Sequence, residues 1–204
     1  GKELSLYMQG LYERTEKIRA KQVMKEKDNM LKITTDGRKA ALSTTLVGIP
    51  QPYDIHNKIY ACVNKVYEIY KNYPSGCQIV FCDIATPLNK VFNLYAELKV
   101  RLGEKGIPGR EIAFVHSCEN EEARISLFNS INSGKIRILI GSTVKLGIGA
   151  NVQRKLKALH HLDIPWRPAD MVQREGRIIR RGNENDEILI FRYVVKGSFD
   201  AYSW

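Results

Sequence analysis

The chain has 204 residues, of which 44% are hydrophobic, enough to bury the core of one substantial domain. Its formal net charge of +10 favours polyanionic partners, although an excess of lysine can also serve solubility alone. No apolar run approaches the length of a membrane span and no cleavable leader is recognisable, so we expect a cytoplasmic protein without a membrane partner. Because the sequence starts with Gly1 rather than Met, we also expect a piece of a longer polypeptide.

The first 73 residues are predicted to be helical and to form a lead-in segment. Residues 1–33 are rich in Lys, Glu, Met and Leu, which are good helix formers, and carry an imperfect helical stripe of apolar residues. A second helix is predicted to start from a cap at Thr35 or Asp36 and to end near Gly48. After the prolines of IPQPYD break the chain, a third helix is predicted over residues 54–76.

From residue 74 to residue 204, buried strands alternate with helices. Five apolar runs predict strands that are covered on both faces, at residues 78–85, 111–117, 135–143, 157–165 and 187–197. Segments with helical spacing lie between them, and Pro87 is placed to begin the first. The second, NEEARISLFNSINSG at residues 120–134, has Glu121 and Glu122 in its first turn, where the helix dipole favours acids. This alternation predicts an α/β domain with a mainly parallel sheet, in which ligands gather at the carboxyl ends of the strands.

Four cysteines indicate reduced thiols rather than a disulfide framework. No two of them form a CxxC pair, and Cys82 and Cys118 lie in apolar runs typical of strands. We therefore expect reduced core cysteines in an intracellular protein. A zinc site is not expected, because no histidine falls at ligand spacing from the cysteines; the histidines are His56, His116, His160 and His161.

A glycine-rich loop, GSTVKLGIGAN at residues 141–151, directly follows the third predicted strand. Its glycines, which include Gly147 and Gly149, permit close approach of the backbone to a ligand. Ser142, Thr143 and Asn151 supply neutral donors for phosphate or sugar oxygens. A glycine-rich turn that binds nothing fits the same residues, so the loop alone does not identify a function.

The segment LDIPWRP, residues 162–168, ends the fourth predicted strand. Asp163 is at a site-forming position because it directly follows this buried strand. Pro165 and Pro168 shape the exit of the chain, and Trp166 can pack or stack. A stiff turn anchored by Trp166 is the simpler interpretation of most of these residues.

The segment QREGRIIRRG, residues 173–182, contains four arginines and no lysine. On a helix, Gln173, Arg177 and Arg180 would share one face. The planar fork of a guanidinium suits bidentate phosphate binding, which an ammonium does not match. The other two arginines, Arg174 and Arg181, are interpreted as solvated charges or ion-pair partners.

The same segment predicts a helix that lies against the sheet over residues 169–182. Val172, Gly176 and Ile179 form an apolar stripe at helical spacing, displaced around the helix from the arginine face. Gly176 on this stripe would allow close contact with the sheet, and Gly182 would end the helix.

Taken together, these segments resemble a known family. The succession IGSTVKLGIGANVQ, HHLDIPWRPADMVQREGRIIRRGN and FRYVVKGSFDAYSW is similar to the second motor lobe of superfamily 2 helicases and translocases, of the DEAD/DEAH and Swi/Snf-like types. It resembles most specifically the helicase part of DNA methylase–helicase polypeptides carried by phages and plasmids, which are mobile elements. The resemblance implies a RecA-like three-layer α/β lobe over residues 74–204, preceded by a helical insertion over residues 1–73.

The resemblance also implies roles for individual arginines. QREGRIIRR is similar to helicase motif VI, in which the positions of Gln173, Arg177 and Arg180 face ATP bound by the other lobe. Arg177 and Arg180 would be the arginine fingers, with Arg180 contacting the γ-phosphate. Arg124 resembles the arginine of the segment between motifs IV and V, which implies a contact with nucleic acid.

GSTVKLGIGAN resembles motif V of the family, where the loop reads closer to GGxGLNL. The resemblance implies that Ser142 and Thr143 lie near the nucleic-acid backbone. It implies that Gly147, Gly149 and Asn151 lie near the nucleotide cleft.

The sequence lacks the parts that hold ATP most firmly in this family. No GxxxxGK[ST] phosphate loop is present, since SGK at 133–135 lacks the upstream glycine, and no DExx-type acidic pair follows a strand. Phosphoryl transfer needs the phosphate loop, the metal and the finger together. We therefore expect ATP and Mg²⁺ to be bound mainly by an N-terminal RecA-like lobe of the same polypeptide, and this chain alone to be inactive.

The expected partners are that lobe and DNA, with double-stranded DNA as the favoured form. Two alternatives stay open. The first is a non-enzymatic RecA-like module that binds nucleic acid or protein, and the second is the lobe of an RNA helicase.

Overall fold

A parallel sheet organises the larger part of the chain in the computed structural model. The structure describes residues 2–50, 57–88, 92–147, 151–176 and 179–203. They divide into two units, one of residues 1–60 with 194–204 and one of residues 61–193. The described residues form eight α-helices: α1 (Lys2–Arg19), α2 (Met30–Leu42), α3 (Lys58–Asn72), α4 (Leu94–Glu104), α5 (Glu121–Asn132), α6 (Thr143–Gly147), α7 (Pro168–Glu175) and α8 (Asp200–Ser203).

The sheet lies in the second unit and has the strand order β2-β3-β1-β4-β5, with every neighbouring pair parallel. Each strand overlaps a predicted one but ends two to five residues earlier. The predicted parallel α/β architecture is confirmed. The strands are β1 (Cys77–Phe81), β2 (Ile112–Phe114), β3 (Ile138–Gly141), β4 (Leu156–His161) and β5 (Leu189–Arg192).

Helices cover both faces of the sheet. On one face Gln78 of β1 donates from Nε2 to the carbonyl of Val66 in α3 at 2.9 Å, and Tyr95 of α4 packs edge-on against Phe114 of β2. Successive side chains of a strand alternate between faces, so the odd-numbered residues of β1 reach the other face, where α5 packs. This arrangement is the RecA-like three-layer fold. The core on the α5 side includes Ile79, Phe81, Phe128, Ile131, Leu139 and Leu159.

Side-chain caps determine where the helices of this unit begin. The Asn120 side chain accepts from the backbone N–H of Ala123 at 2.8 Å, which starts α5 where the sequence predicts it. Asn93 likewise caps α4. The prediction that Pro87 begins this helix is wrong, because Pro87 lies in a turn and the capping side chain comes six residues later.

The predicted start of the second helix is also wrong. The N-cap of α2 is Asn29, whose side chain accepts from the backbone N–H of Lys32 at 3.0 Å. Thr35 and Asp36, the predicted caps, lie inside the helix. Asp36 instead accepts from Arg14 of α1 at 2.9 Å, so its carboxylate links two helices rather than capping one.

The chain passes from the first unit to the second between residues 60 and 61, and returns to the first between residues 193 and 194. Residues 61–73 belong with the sheet, where the carbonyl of Tyr73 accepts from Arg137 Nη2 at 2.6 Å. Residues 194–204 belong with the N-terminal helices. There Lys58 and Asp200 form a buried ion pair of 2.8 Å across 142 positions of sequence.

Candidate functional site

Three strands of the sheet deliver polar residues to the same edge. Asp83 follows β1, Ser142 and Thr143 follow β3, and Asp163 follows β4. Because these strands are parallel neighbours, their carboxyl ends meet at one edge of the sheet. A fourth contribution comes from Arg174 of α7, so residues far apart in sequence form one cluster.

Arg174 is the centre of this cluster, and its residue is only 1% exposed. Its Nη2 donates to Asp83 Oδ2 at 2.7 Å and to Asp163 Oδ1 at 2.9 Å. Its Nη1 donates to the carbonyl of Asp163 at 2.8 Å, and its Nε donates to Thr143 Oγ1 at 2.7 Å. All three nitrogens are therefore bonded, and they connect the ends of β1, β3 and β4.

The two carboxylates complete the network from the strand ends. Asp83 accepts from the backbone N–H of Thr143 at 2.6 Å and from its hydroxyl at 2.7 Å. Asp163, which is 2% exposed, accepts through Oδ2 from the backbone N–H groups of Asp83 at 2.6 Å and Ile84 at 2.8 Å. Asp83 itself keeps 28% of its side chain exposed, so it is the member of the network that borders solvent.

The network fixes a permanent positive charge between two negative ones. Burial by itself would lower the pKa of Arg174, but the carboxylates of Asp163 and Asp83 outweigh burial and raise it above its ordinary value. A buried arginine is tolerated only when paired and hydrogen-bonded in this way. Removing Arg174 would leave Asp163 buried without its cation, whereas removing Asp83 would leave Arg174 still paired with Asp163.

Ser142 lies beside the network but is held less firmly. Its Oγ is 3.4 Å from His116 Nε2 and accepts from the backbone N–H of Lys145 at 3.3 Å. Burial and the Lys145 cation lower the pKa of His116, which favours the neutral ring. Both contacts are long for hydrogen bonds to a hydroxyl, so Ser142 keeps more capacity for another acceptor than Thr143 does.

The predicted motif V residues are only partly brought together. Ser142 and Thr143 are in the cluster, and Gly147 is the last residue of α6, which forms from the middle of the predicted loop. Gly149 lies outside the described residues. Asn151 is exposed, and its carbonyl accepts from Asn132, the last residue of α5, at 2.7 Å. Because α5 ends at the opposite edge of the sheet, Asn151 does not join the cluster, and its nucleotide role stays a prediction.

Arg124 lies in the first turns of α5. It pairs with Glu121 at 2.6 Å, and its Nε is buried without a hydrogen-bond partner among the described residues. Its predicted contact with nucleic acid stays a prediction.

The helix that carries the arginine motif is shorter than predicted. It ends at Glu175, with Gly176 as its C-cap at a φ of −61°. Arg180 follows the helix and is exposed, Arg177 lies outside the described residues, and Gln173 is exposed on α7. The helical geometry that would place these three side chains on one face therefore does not extend to Arg180. Their roles facing ATP stay predictions.

The predicted apolar contact face of this helix is wrong. Val172 is 72% exposed and Ile179 is 61% exposed, whereas Arg174, interpreted partly as a solvated charge, is buried. The alternative interpretation of Arg174 as an ion-pair partner is confirmed. The buried side of α7 is polar because it meets carboxylates at the strand ends rather than an apolar sheet surface. Gly182, the predicted helix end, lies in a separate turn with a φ of 87°.

Two features of the cluster are not predicted from the sequence: the participation of Asp83 and the burial of Arg174. Asp83 follows a buried strand almost directly, which is the same signal that identifies Asp163. Asp83 lies near the end of the predicted strand 78–85 just as Asp163 lies near the end of the predicted strand 157–165, so a search for aspartates near strand ends would find both. No pattern in the sequence distinguishes Arg174 from its neighbours, because its partners are 91 and 11 positions away.

Comparison with known proteins assigns the chain to a family. The model of the helicase conserved C-terminal domain matches residues 61–182, more than half of the chain and nearly the same residues as the sheet unit. The chain belongs to the helicase conserved C-terminal domain family. The resemblance to the second lobe of superfamily 2 helicases is thereby confirmed.

The chain is also similar to individual proteins. Over 58 residues the chain is 41% identical to the defense against restriction protein B of Escherichia phage P1, which is consistent with the expected phage-type resemblance. That match covers 28% of this chain and only 3% of the phage protein. Among solved structures, the C-terminal part of the Fun30 ATPase domain has a TM-score of 0.57 at 17% identity, over 80% of this chain and 50% of that one. The C-terminal domain of the DEAD-box protein Dbp5 has a TM-score of 0.49 at 23% identity, over 69% of this chain and 74% of that one.

Neither a metal centre nor a membrane span is found in the part of the chain that the structure describes. No three His, Cys, Asp or Glu side chains there are placed to hold a metal ion, and no helix there is long and apolar enough to cross a bilayer.

Proposed function

We propose that this domain is the second motor lobe of a nucleic-acid-dependent ATPase that acts as a DNA helicase or translocase of a mobile element. The observation that carries the proposal is the Arg174 cluster, within the family-matched residues. It joins the start of the predicted nucleic-acid loop, at Thr143, to the helix that precedes the predicted arginine fingers. Both predicted ligand segments therefore leave the same edge of the sheet.

In this proposal the two segments that leave the cluster, the loop at Ser142 and the segment after α7, have different ligands. Ser142 and the adjacent backbone contact phosphates of the nucleic acid, for which the net charge of +10 supplies a general attraction. Arg177 and Arg180 reach the γ-phosphate of ATP that an N-terminal lobe holds with its phosphate loop and Mg²⁺. When the lobes close, these guanidinium groups neutralise charge that develops on the transferred phosphoryl group.

The residues of this chain fit the finger role and not the role of holding ATP and metal. Arg180 is exposed next to the cluster-bearing helix, where a second lobe has access to it. The sequence contains neither a phosphate loop nor an acidic metal-binding pair after a strand. We accordingly expect this chain alone to hydrolyse essentially no ATP.

The test is ATP hydrolysis by a polypeptide that joins this domain to its N-terminal lobe. Arg180→Ala should lower nucleic-acid-stimulated turnover by about 10³-fold or more, while ATP binding stays close to that of the wild type. Arg181→Ala is the matched control, because Arg181 is the adjacent exposed arginine and is assigned no ligand. Near-normal turnover of Arg180→Ala would refute the finger assignment.

The same polypeptide tests the alternatives. Stimulation should be compared for double-stranded DNA, single-stranded DNA and RNA, each over a range of salt concentrations, since binding to a phosphate backbone weakens steeply with salt. Strongest stimulation by RNA would favour an RNA helicase. Binding without any ATP hydrolysis would favour a non-enzymatic module.

A further inference from the structure

The backbone N–H and the hydroxyl of Thr143 are both hydrogen-bonded within the protein. Its backbone N–H and its hydroxyl both donate to the carboxylate of Asp83, at 2.6 and 2.7 Å, and its hydroxyl oxygen accepts from Arg174 Nε at 2.7 Å. A hydroxyl has one proton, so the direction of these bonds is determined. Asp83 and Arg174 therefore already occupy the N–H and hydroxyl groups of Thr143, which lies next to Ser142 in the predicted nucleic-acid loop.

Asp83, Thr143 and Arg174 form a closed ring of hydrogen bonds. Asp83 bonds both of the others, and these two also bond each other. A displacement of Thr143 must either break its hydrogen bonds to Asp83 and Arg174 or move both of these side chains with it. Because charge-assisted bonds of this kind are the strongest hydrogen bonds in proteins, the ring transmits a shift of the loop instead of absorbing it.

The other end of the ring is anchored in the helix that precedes the predicted fingers. Arg174 lies in the last turn of α7, three positions before Arg177 and six before Arg180. Its planar guanidinium has no freedom to rotate, since Asp163 holds it through both the carboxylate and the carbonyl. A movement that reaches Arg174 therefore moves the C-terminal end of α7.

We propose that Asp83 and Arg174 are positioning residues that couple nucleic-acid contact at the loop to the placement of Arg180. This inference rests on the proposed function of the domain. Asp83 is the link that can be removed with least damage to the fold, because 28% of its side chain is exposed and Arg174 retains Asp163 without it. Neither residue touches ATP or nucleic acid in this role.

The experiment uses Asp83→Asn in the two-lobe polypeptide, with ATP and a duplex DNA oligonucleotide as probes. The maximal DNA-stimulated kcat should fall by about 10²-fold, the loss expected when a catalytic group is misplaced by about 1 Å. The KM for ATP and the DNA concentration that gives half-maximal stimulation should stay close to wild-type values. Asp186→Asn, which removes the same charge from an exposed position, is the matched control and should keep wild-type kcat.

Thr143→Val, a second variant, separates coupling from structural damage, since it removes only the hydroxyl. If Asp83→Asn and Thr143→Val both act by breaking the hydrogen bond between these two residues, the double variant should have a kcat no lower than that of the slower single variant. Two losses that multiply would overturn the inference, as would Asp83→Asn behaving like Asp186→Asn. If the wild-type polypeptide shows no nucleic-acid-stimulated hydrolysis, it is the proposed function that fails.

Discussion

Acidification below about pH 6.5 should destabilise the sheet domain, because β4 buries two neutral histidines. His160 and His161 are both 0% exposed. The ring nitrogens of His160 are hydrogen-bonded to the Tyr193 hydroxyl at 2.7 Å and to Gln78 Oε1 at 2.9 Å. Burial lowers the pKa of each histidine to about 3, and the nearby Arg174 cation contributes to this for His161.

The lowered pKa values become a loss of stability as the pH falls. Unfolded histidine titrates near pH 6.5, so below that pH the unfolded chain binds protons that the folded chain does not take up until about pH 3. Above pH 6.5 neither state is protonated and the histidines contribute nothing. Between about pH 6.5 and 5, each histidine lowers the free energy of unfolding by roughly 2 kcal/mol, and the two together by roughly 4 kcal/mol.

The assay is urea unfolding followed by far-ultraviolet circular dichroism at a series of pH values from 7.5 to 5. Below pH 6.5 the free energy of unfolding should fall by about 2.7 kcal/mol per pH unit, and His160→Gln should reduce this slope to about half. The slope is compared rather than the stability itself, so a less stable variant remains informative. A wild-type slope near zero, or a slope that His160→Gln leaves unchanged, would refute the reasoning.

Two further substitutions probe packing and charge, each measured by urea unfolding at pH 7.5. Gly37→Ala should cost about 1–3 kcal/mol, because a methyl group on this α2 glycine would overlap the Phe199 ring. Gly10→Ala, in α1 with open space around it, is the control and should stabilise by up to about 1 kcal/mol; equal effects of the two would contradict the contact. Arg174→Met should cost about 3–5 kcal/mol, because Asp163 is then left buried without its cation; a cost below about 1 kcal/mol would show that the network does not hold the edge together.

Patterns within short segments account for what the sequence predicts correctly. Apolar runs such as QIVFC and KIRILI predict strands covered on both faces, and the structure places β1 and β3 side by side in the middle of the sheet. Asn120 followed by two glutamates predicts the start of α5. These signals are local because hydrogen bonding within a helix turn and alternation along a strand involve residues only a few positions apart.

The errors arise where the deciding interaction is not local. Hydrophobic periodicity assigns Val172 and Ile179 to the buried side of the motif helix, since it treats a buried face as an apolar one. The structure buries Arg174 instead, because the ends of β1 and β4 present carboxylates to that side. Similarly, the last residues of the chain contact the N-terminal unit through the Lys58–Asp200 ion pair, which no local pattern in either segment predicts.

By itself, the sequence determines the family, the order of strands and helices along the chain, and the residue types available for phosphate chemistry. These follow from motif residues and from local periodicity. Only the tertiary structure decides which polar residues meet, because Asp83, Thr143, Asp163 and Arg174 are brought together by strand order rather than by spacing. Parallel strands deliver their carboxyl ends to one edge, and a buried arginine is stable there only because two of those ends carry aspartates.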